Sequence, residues 1–188
     1  MKKFELTSEF ITNISGTKLF RIKALVEFGN IKAGELGGYI EKEENLDQDG
    51  NAWVYGNAEV YGNAWVCGNA KVYGNAEVCG NAWVYGNAEV YGNAEVCGNA
   101  EVYGNAEVCG NAKVCGNADY AYAHGFGSEY RTTTFFRLRN GDVGVRCGCF
   151  YGTLQEFRDK VRATHKETKK AKEYLMLADL MELRFLKE

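Results

Sequence analysis

From Gly50 to Ala118 the tripeptide Gly-Asn-Ala returns every six residues, at 50, 56, 62, 68, 74, 80, 86, 92, 98, 104, 110 and 116, without a slip. An α-helix of 3.6 residues per turn cannot keep a six-residue pattern on one face, whereas a short strand with a corner at each end can. The repeat therefore decides the fold before any other feature does. Its unit reads Gly-Asn-Ala-x-Val-(Tyr/Cys), with x drawn from Trp, Glu and Lys and a valine in each hexad from Val54 to Val114. Ala and Val lie two residues apart and point to one side of a strand, while x and Tyr/Cys point to the other. Small alanine beside branched valine suits a narrow interior. Gly-Asn makes the corner, since glycine accepts positive φ and asparagine tolerates it better than other residues do.

Three sides of six residues make an 18-residue coil, and coils stack at roughly 4.8 Å. Residues 18 apart then form outward columns. One joins Tyr55, Tyr73, Tyr91 and Cys109, a second Tyr61, Cys79, Cys97 and Cys115, a third Cys67, Tyr85, Tyr103 and Ala121. At x the columns are Trp53-Lys71-Glu89-Glu107, Glu59-Glu77-Glu95-Lys113 and Trp65-Trp83-Glu101-Asp119.

The repeat resembles the hexapeptide repeats of left-handed parallel β-helix proteins, a fold of many acyltransferases. The whole chain is similar to phage and prophage proteins of unknown function and to bacterial proteins called acetyltransferases by name alone. The resemblance rests on the lead-in Ile31-Lys32-Ala33-Gly34-Glu35-Leu36-Gly37-Gly38-Tyr39-Ile40, on the repeats, and on a tail with Thr132-Thr133-Thr134-Phe135-Phe136 and Cys147-Gly148-Cys149-Phe150. It implies left-handed coiling and a homotrimer, neither of which the period itself gives.

The fold expected is mainly β: a parallel β-helix with a small C-terminal ββαα appendage. Residues 1–49 form a cap and lead-in, 50–121 the solenoid and 122–188 the appendage. A solenoid end exposes unpaired backbone, so a cap is required. In the tail, Thr132 to Leu138 and Val143 to Cys149 flank Asn140-Gly141, a two-residue hairpin signal. Thr153-Leu154-Gln155-Glu156 is a capping box opening a helix to about Ala163. A second helix, from Thr168 to Leu186, carries Ala171, Tyr174, Leu175, Ala178, Met181 and Phe185 on one stripe.

Composition narrows the function classes. The 188 residues carry a net charge of −3, and duplex nucleic acid binding normally needs a clustered basic surface, so that class is disfavoured. No long apolar run suggests a membrane span. Lys2 and Lys3 are followed by no apolar stretch of the kind a secretory signal needs, so the expected location is cytoplasmic, the host cytoplasm if the chain is phage-encoded. Seven cysteines with three in one column read as reduced, packed thiols, and Cys147-Gly148-Cys149 lacks zinc-site spacing. No metal site is expected. The chain has two histidines, both outside the repeats. Acyltransferases of the resembled fold use a histidine base, which makes His124 the catalytic candidate in that reading, with acetyl-CoA as the cofactor; otherwise none is expected.

An outward face of tyrosine and tryptophan is too apolar to be left to water. Self-association into a homotrimer is the expected cover, and a binding platform the alternative. The candidate binding residues are Tyr55, Tyr73, Tyr91, Trp65 and Trp83, with Arg131, Arg137, Arg139 and Arg146 on the tail. Aromatics and arginines together stack a base and hold phosphates, so a small nucleotide is one possible ligand. The function expected is a non-catalytic homotrimeric binding or scaffold protein acting on a host or phage component, such as a host-defence protein or nucleotide signal. The alternatives are a diverged acyltransferase and a virion or tail accessory protein.

Overall fold

The computed structural model describes residues 2–127 and 129–185. The chain opens with an antiparallel hairpin, β1 (Phe4–Thr12) and β2 (Lys18–Ala24), followed by β3 (Leu36–Ile40). Eleven two-residue strands come next, β4 to β14, one per hexad: Trp53–Val54, Glu59–Val60, Trp65–Val66, Lys71–Val72, Glu77–Val78, Trp83–Val84, Glu89–Val90, Glu95–Val96, Glu101–Val102, Glu107–Val108 and Lys113–Val114. They stack in parallel on three faces, as the repeat predicts. The faces are β13-β10-β7-β4, β12-β9-β6 and β3-β5-β8-β11-β14, the last extended by β2 and β1. Registers such as Trp65 on Trp83 and Glu89 on Glu107 reproduce the 18-residue columns.

The interior follows from the hexad. Every repeat alanine from Ala52 to Ala112 and every valine from Val54 to Val114 is buried. Backbone bonds tie each coil to the next: Asn69 N donates to Gly86 O at 2.8 Å, Lys71 N to Ala88 O at 2.9 Å and Tyr73 N to Val90 O at 3.0 Å. The corners differ from expectation. Gly86 has φ +71°, and a Cβ there would sit 3.0 Å from Gly104 N, so glycine alone takes the left-handed position. No repeat asparagine does. Instead the asparagine side chains bond one another up the corners, Asn51 to Asn69 to Asn87 to Asn105, with Nδ2 to Oδ1 distances of 3.0 to 3.1 Å. The amide's two-sided hydrogen bonding, not its backbone tolerance, accounts for its place in the repeat.

The lead-in joins the solenoid directly, because β3 pairs in parallel with β5. Trp53, read from sequence as outward, is fully buried under Phe4 and Phe28, with ring centroids 6.3 and 5.3 Å away. Lys3 closes this end, donating to Asp49 O at 3.2 Å and Ala52 O at 3.0 Å. Asn45, also buried, donates to Ala64 O at 2.8 Å.

The tail is richer in strand than expected. A four-stranded antiparallel sheet runs β15 (Tyr120–Phe126), β16 (Arg131–Arg137), β17 (Val143–Cys147) and β18 (Phe150–Thr153). Gly116 is the repeat glycine without positive φ, and there the coil ends. The chain then turns antiparallel, pairing Ala121 with Phe135, so Asp119 and Ala121 do not continue their columns. The hairpin loop is Arg139-Asn140-Gly141, one residue longer than the Asn-Gly signal implied. Leu138 N bonds Asp142 O at 2.9 Å, and Asn140 Oδ1 accepts from Asp142 N, which with Gly141 at φ +91° gives the three-residue form.

Two helices follow, α1 (Leu154–His165) and α2 (Lys169–Phe185). Thr153 and Glu156 form the expected reciprocal cap. Leu186, the sequence limit of the second helix, lies outside the described residues. The stripe Ala171, Tyr174, Ala178, Met181 and Phe185 is buried against Phe135, Val145 and Phe157, so it belongs to the tail's own core. Phe135 and Phe136 alternate across β16, one in that core and the other in the solenoid core, which locks the two together.

Candidate functional site

The β12-β9-β6 face keeps its aromatic groups open. Trp65 and Trp83 meet edge to face at 5.5 Å, and Trp83 is 45% exposed. Along the other edge Tyr85 stacks on Tyr103 at 5.3 Å, and Tyr103 is 40% exposed. Where the repeat ends, β15 turns Tyr122 edge-on to Tyr103 at 5.8 Å. The result is a cleft of about 620 Å³ lined by Tyr85, Glu101, Tyr103, Asn117, Tyr122 and Arg184.

Its polar groups are fixed by short local bonds. Asn117 Oδ1 accepts from Glu101 N at 2.8 Å, and Arg184 Nη2 donates to Asn117 O at 3.2 Å, bringing the end of α2 to the rim. The Tyr85 hydroxyl faces Glu101 Oε2 at 3.4 Å. Desolvation, then the Glu101 charge, raises the Tyr85 phenol above its ordinary range, so it stays a neutral donor. Ring faces with a carboxylate at one side suit a flat or cationic group, and the guanidinium suits an anionic one.

Tyr55, Tyr73 and Tyr91 form a separate column on the β13-β10-β7-β4 face, with Tyr73 and Tyr91 stacked at 4.7 Å. Two of the hydroxyls are occupied: Tyr73 donates to Glu89 at 2.8 Å and Tyr91 to Glu107 at 3.0 Å. Arg146 meets this column, 5.9 Å over the Tyr91 ring and 2.8 Å from Glu107. The other three arginines point elsewhere. Arg137 pairs with Asp119 at 3.2 Å and donates to Phe185 O. Arg139 reaches Asn93 O and Glu95. Arg131 lines a 140 Å³ recess with Cys147, Phe150, His165 and Tyr174. The four do not converge on one phosphate-sized site.

His124 is exposed on β15, its Nδ1 3.1 Å from the Thr132 hydroxyl. His165 closes α1, its ring 5.7 Å from that of Tyr174. The cysteines correct one expectation. Cys97 and Cys115 are joined as a disulfide, their Cα atoms 4.4 Å apart, because adjacent rungs of one column place them side by side. Cys67, Cys79, Cys109, Cys147 and Cys149 are free. Beside the pair, Glu95 brings a third potential metal ligand, and the three donor atoms lie within 4.8 Å of one another.

Sequence reasoning placed Tyr85 and Tyr103 in one column but missed the cleft. Its remaining wall comes from Tyr122 and Arg184, which belong to the tail and reach it only through the antiparallel turn after Gly116. Among the described residues no helix is long and apolar enough to cross a membrane.

No family model matches the chain. It is similar to a protein of Escherichia coli (strain K12) named "Uncharacterized acetyltransferase YdcK", at 39% identity over 62 residues, which covers 29% of this chain and 19% of that protein.

Proposed function

We propose that the chain is a non-catalytic binding module that assembles as a homotrimer through its β12-β9-β6 face. The observation that carries this is the edge-to-face pair of Trp65 and Trp83, with Trp83 exposed, which lies on the opposite edge of the face from the tyrosine cleft. Patches of this kind on a soluble chain mark interaction surfaces, and a closed ring of identical copies covers each one. The β13-β10-β7-β4 face is already covered in part, by Phe4 and Phe28 over Trp53 and by Arg146 over Tyr91, and the third face carries Glu59, Glu77 and Glu95 in place of aromatic groups. The tyrosine cleft at the end of the face then receives the partner, which on the resemblance is a host or phage component. Sedimentation equilibrium tests the assembly. The wild type should return three times the chain mass of 20.9 kDa, and Trp83→Glu should return a folded monomer; a monomeric wild type defeats the reading.

A diverged acyltransferase using acetyl-CoA is the second reading, favoured by the partial similarity to an acetyltransferase. His124 is then the base. Its ring partner is the neutral Thr132 hydroxyl, whereas catalytic bases are commonly oriented by a group that also stabilises their charged form. Acetyl-CoA turnover that disappears in His124→Ala, with the oligomer intact, would establish this reading over the first.

A further inference from the structure

The last rungs of the acidic face bring unlike donors together. The register sets Glu95 beside Lys113 and Val96 beside Val114, and Cys97 N donates to Val114 O at 2.8 Å, so Cys115 is the direct neighbour of Cys97. Both sulfurs and a Glu95 carboxylate oxygen lie within 4.8 Å of one another at half-buried positions. Side chains on neighbouring parallel strands project the same way, so the three donors converge without help from any loop.

We infer that the Cys97–Cys115 pair, once reduced, joins Glu95 in holding a thiophilic divalent cation of the zinc class. Two thiolates and one carboxylate form a borderline-soft set that suits zinc or cadmium. Calcium and magnesium need oxygen ligands throughout and are rejected. Three anionic ligands leave excess negative charge on a divalent ion. Lys113 Nζ and Arg139 Nη2, 3.4 and 3.7 Å from the Glu95 carboxylate, offset it and hold that carboxylate beside the sulfurs. With three protein ligands at half-buried positions, the fourth tetrahedral position falls to water.

The site is gated by oxidation state. A dithiol reductant delivers two electrons and two protons to the sulfur–sulfur bond, which breaks to two thiols while the reductant leaves as its own cyclic disulfide. The incoming cation then displaces both thiol protons to solvent, so binding strengthens as pH rises.

The test uses the full chain, reduced with dithiothreitol, freed of it without air and titrated with cadmium. Thiolate-to-cadmium charge-transfer absorbance and released protons are the readouts, with circular dichroism reporting the fold. One cadmium per chain and two protons per cadmium are expected, with no binding to the oxidised chain. Cys97→Ser and Cys115→Ser should each weaken binding by more than about 100-fold, beyond the loss of an outer ligand partner. Glu95→Gln should weaken it by at least about 10-fold, and Cys147→Ser with Cys149→Ser should leave it unchanged. The proposal is overturned by binding that survives loss of Cys97 or Cys115, by binding that Glu95→Gln leaves undiminished, by binding that vanishes in the Cys147/Cys149 double variant, or by a reduced wild type with no charge-transfer band. Should a serine variant unfold, Glu95→Gln and the double variant still decide.

Discussion

The Tyr73 hydroxyl donates to Glu89 Oε2 at 2.8 Å, sixteen residues along the chain and one coil away. The same diagonal joins Tyr61 to Glu77, Tyr85 to Glu101 and Tyr91 to Glu107. A tyrosine at the end of one hexad is thus matched to a glutamate at the start of a strand in the next coil. A double-mutant cycle of Tyr73→Phe and Glu89→Gln, read by urea unfolding, should give a coupling of about 1 kcal/mol, since the pair is partly solvated. Additive losses would show that the diagonal only fills space.

Val84 is fully buried in an interior lined by alanine and valine. An aspartate there has no partner, and burying its charge should cost about 4 kcal/mol or more. The melting temperature of Val84→Asp should fall by on the order of 10 °C. An unchanged melting curve contradicts the inward assignment.

Neighbouring corner residues should respond unequally. Gly86→Ala forces a side chain into the left-handed region, at roughly 1 to 2 kcal/mol, and crowds Gly104 N at 3.0 Å. Asn87→Ala removes two exposed ladder bonds, to Asn69 and Asn105, worth less than about 1 kcal/mol. Chemical denaturation of the two variants checks the order.

Alkaline pH should act in two opposed steps. Burial lowers Lys3 to about 8, against attraction from Asp47 and Asp49. Between that value and about 10.4 the unfolded chain binds more protons, so this group's contribution to stability rises with pH. Tyr73, Tyr91 and Tyr120 are raised above 10, chiefly by burial. Their contribution is complete below pH 10 and is lost above it, as the unfolded phenols ionise first. Urea midpoints at pH 7, 9 and 11 should therefore rise and then fall in the wild type, and Lys3→Met should abolish the rise.

The solenoid was readable from sequence because each hexad repeats the same local instruction, so Val84 and Glu89 take the places that period and alternation assign. Legibility ends where that instruction stops. Trp53 obeys its column yet is buried, because Phe4 and Phe28 come from a segment with no repeat. Tyr122 and Arg184 join Tyr103 only through the reversal after Gly116, which no periodicity announces. The disulfide was legible as a column and misjudged as chemistry: Cys97 and Cys115 were placed side by side, but their contact depends on a Cα separation that the period leaves open.

Because Asn51, Asn69, Asn87 and Asn105 sit on one corner, the solenoid behaves as a ruler graduated in eighteens. Duplicating eighteen residues would lengthen it and return the tail to the same corner, with the β12-β9-β6 face still meeting the α2 end. Duplicating a single hexad between Tyr103 and the tail would instead turn the tail by one side of the triangle and carry Arg184 away from the stacked Tyr85 and Tyr103. Growth of such a chain by gene duplication is thereby restricted to whole turns wherever that junction matters.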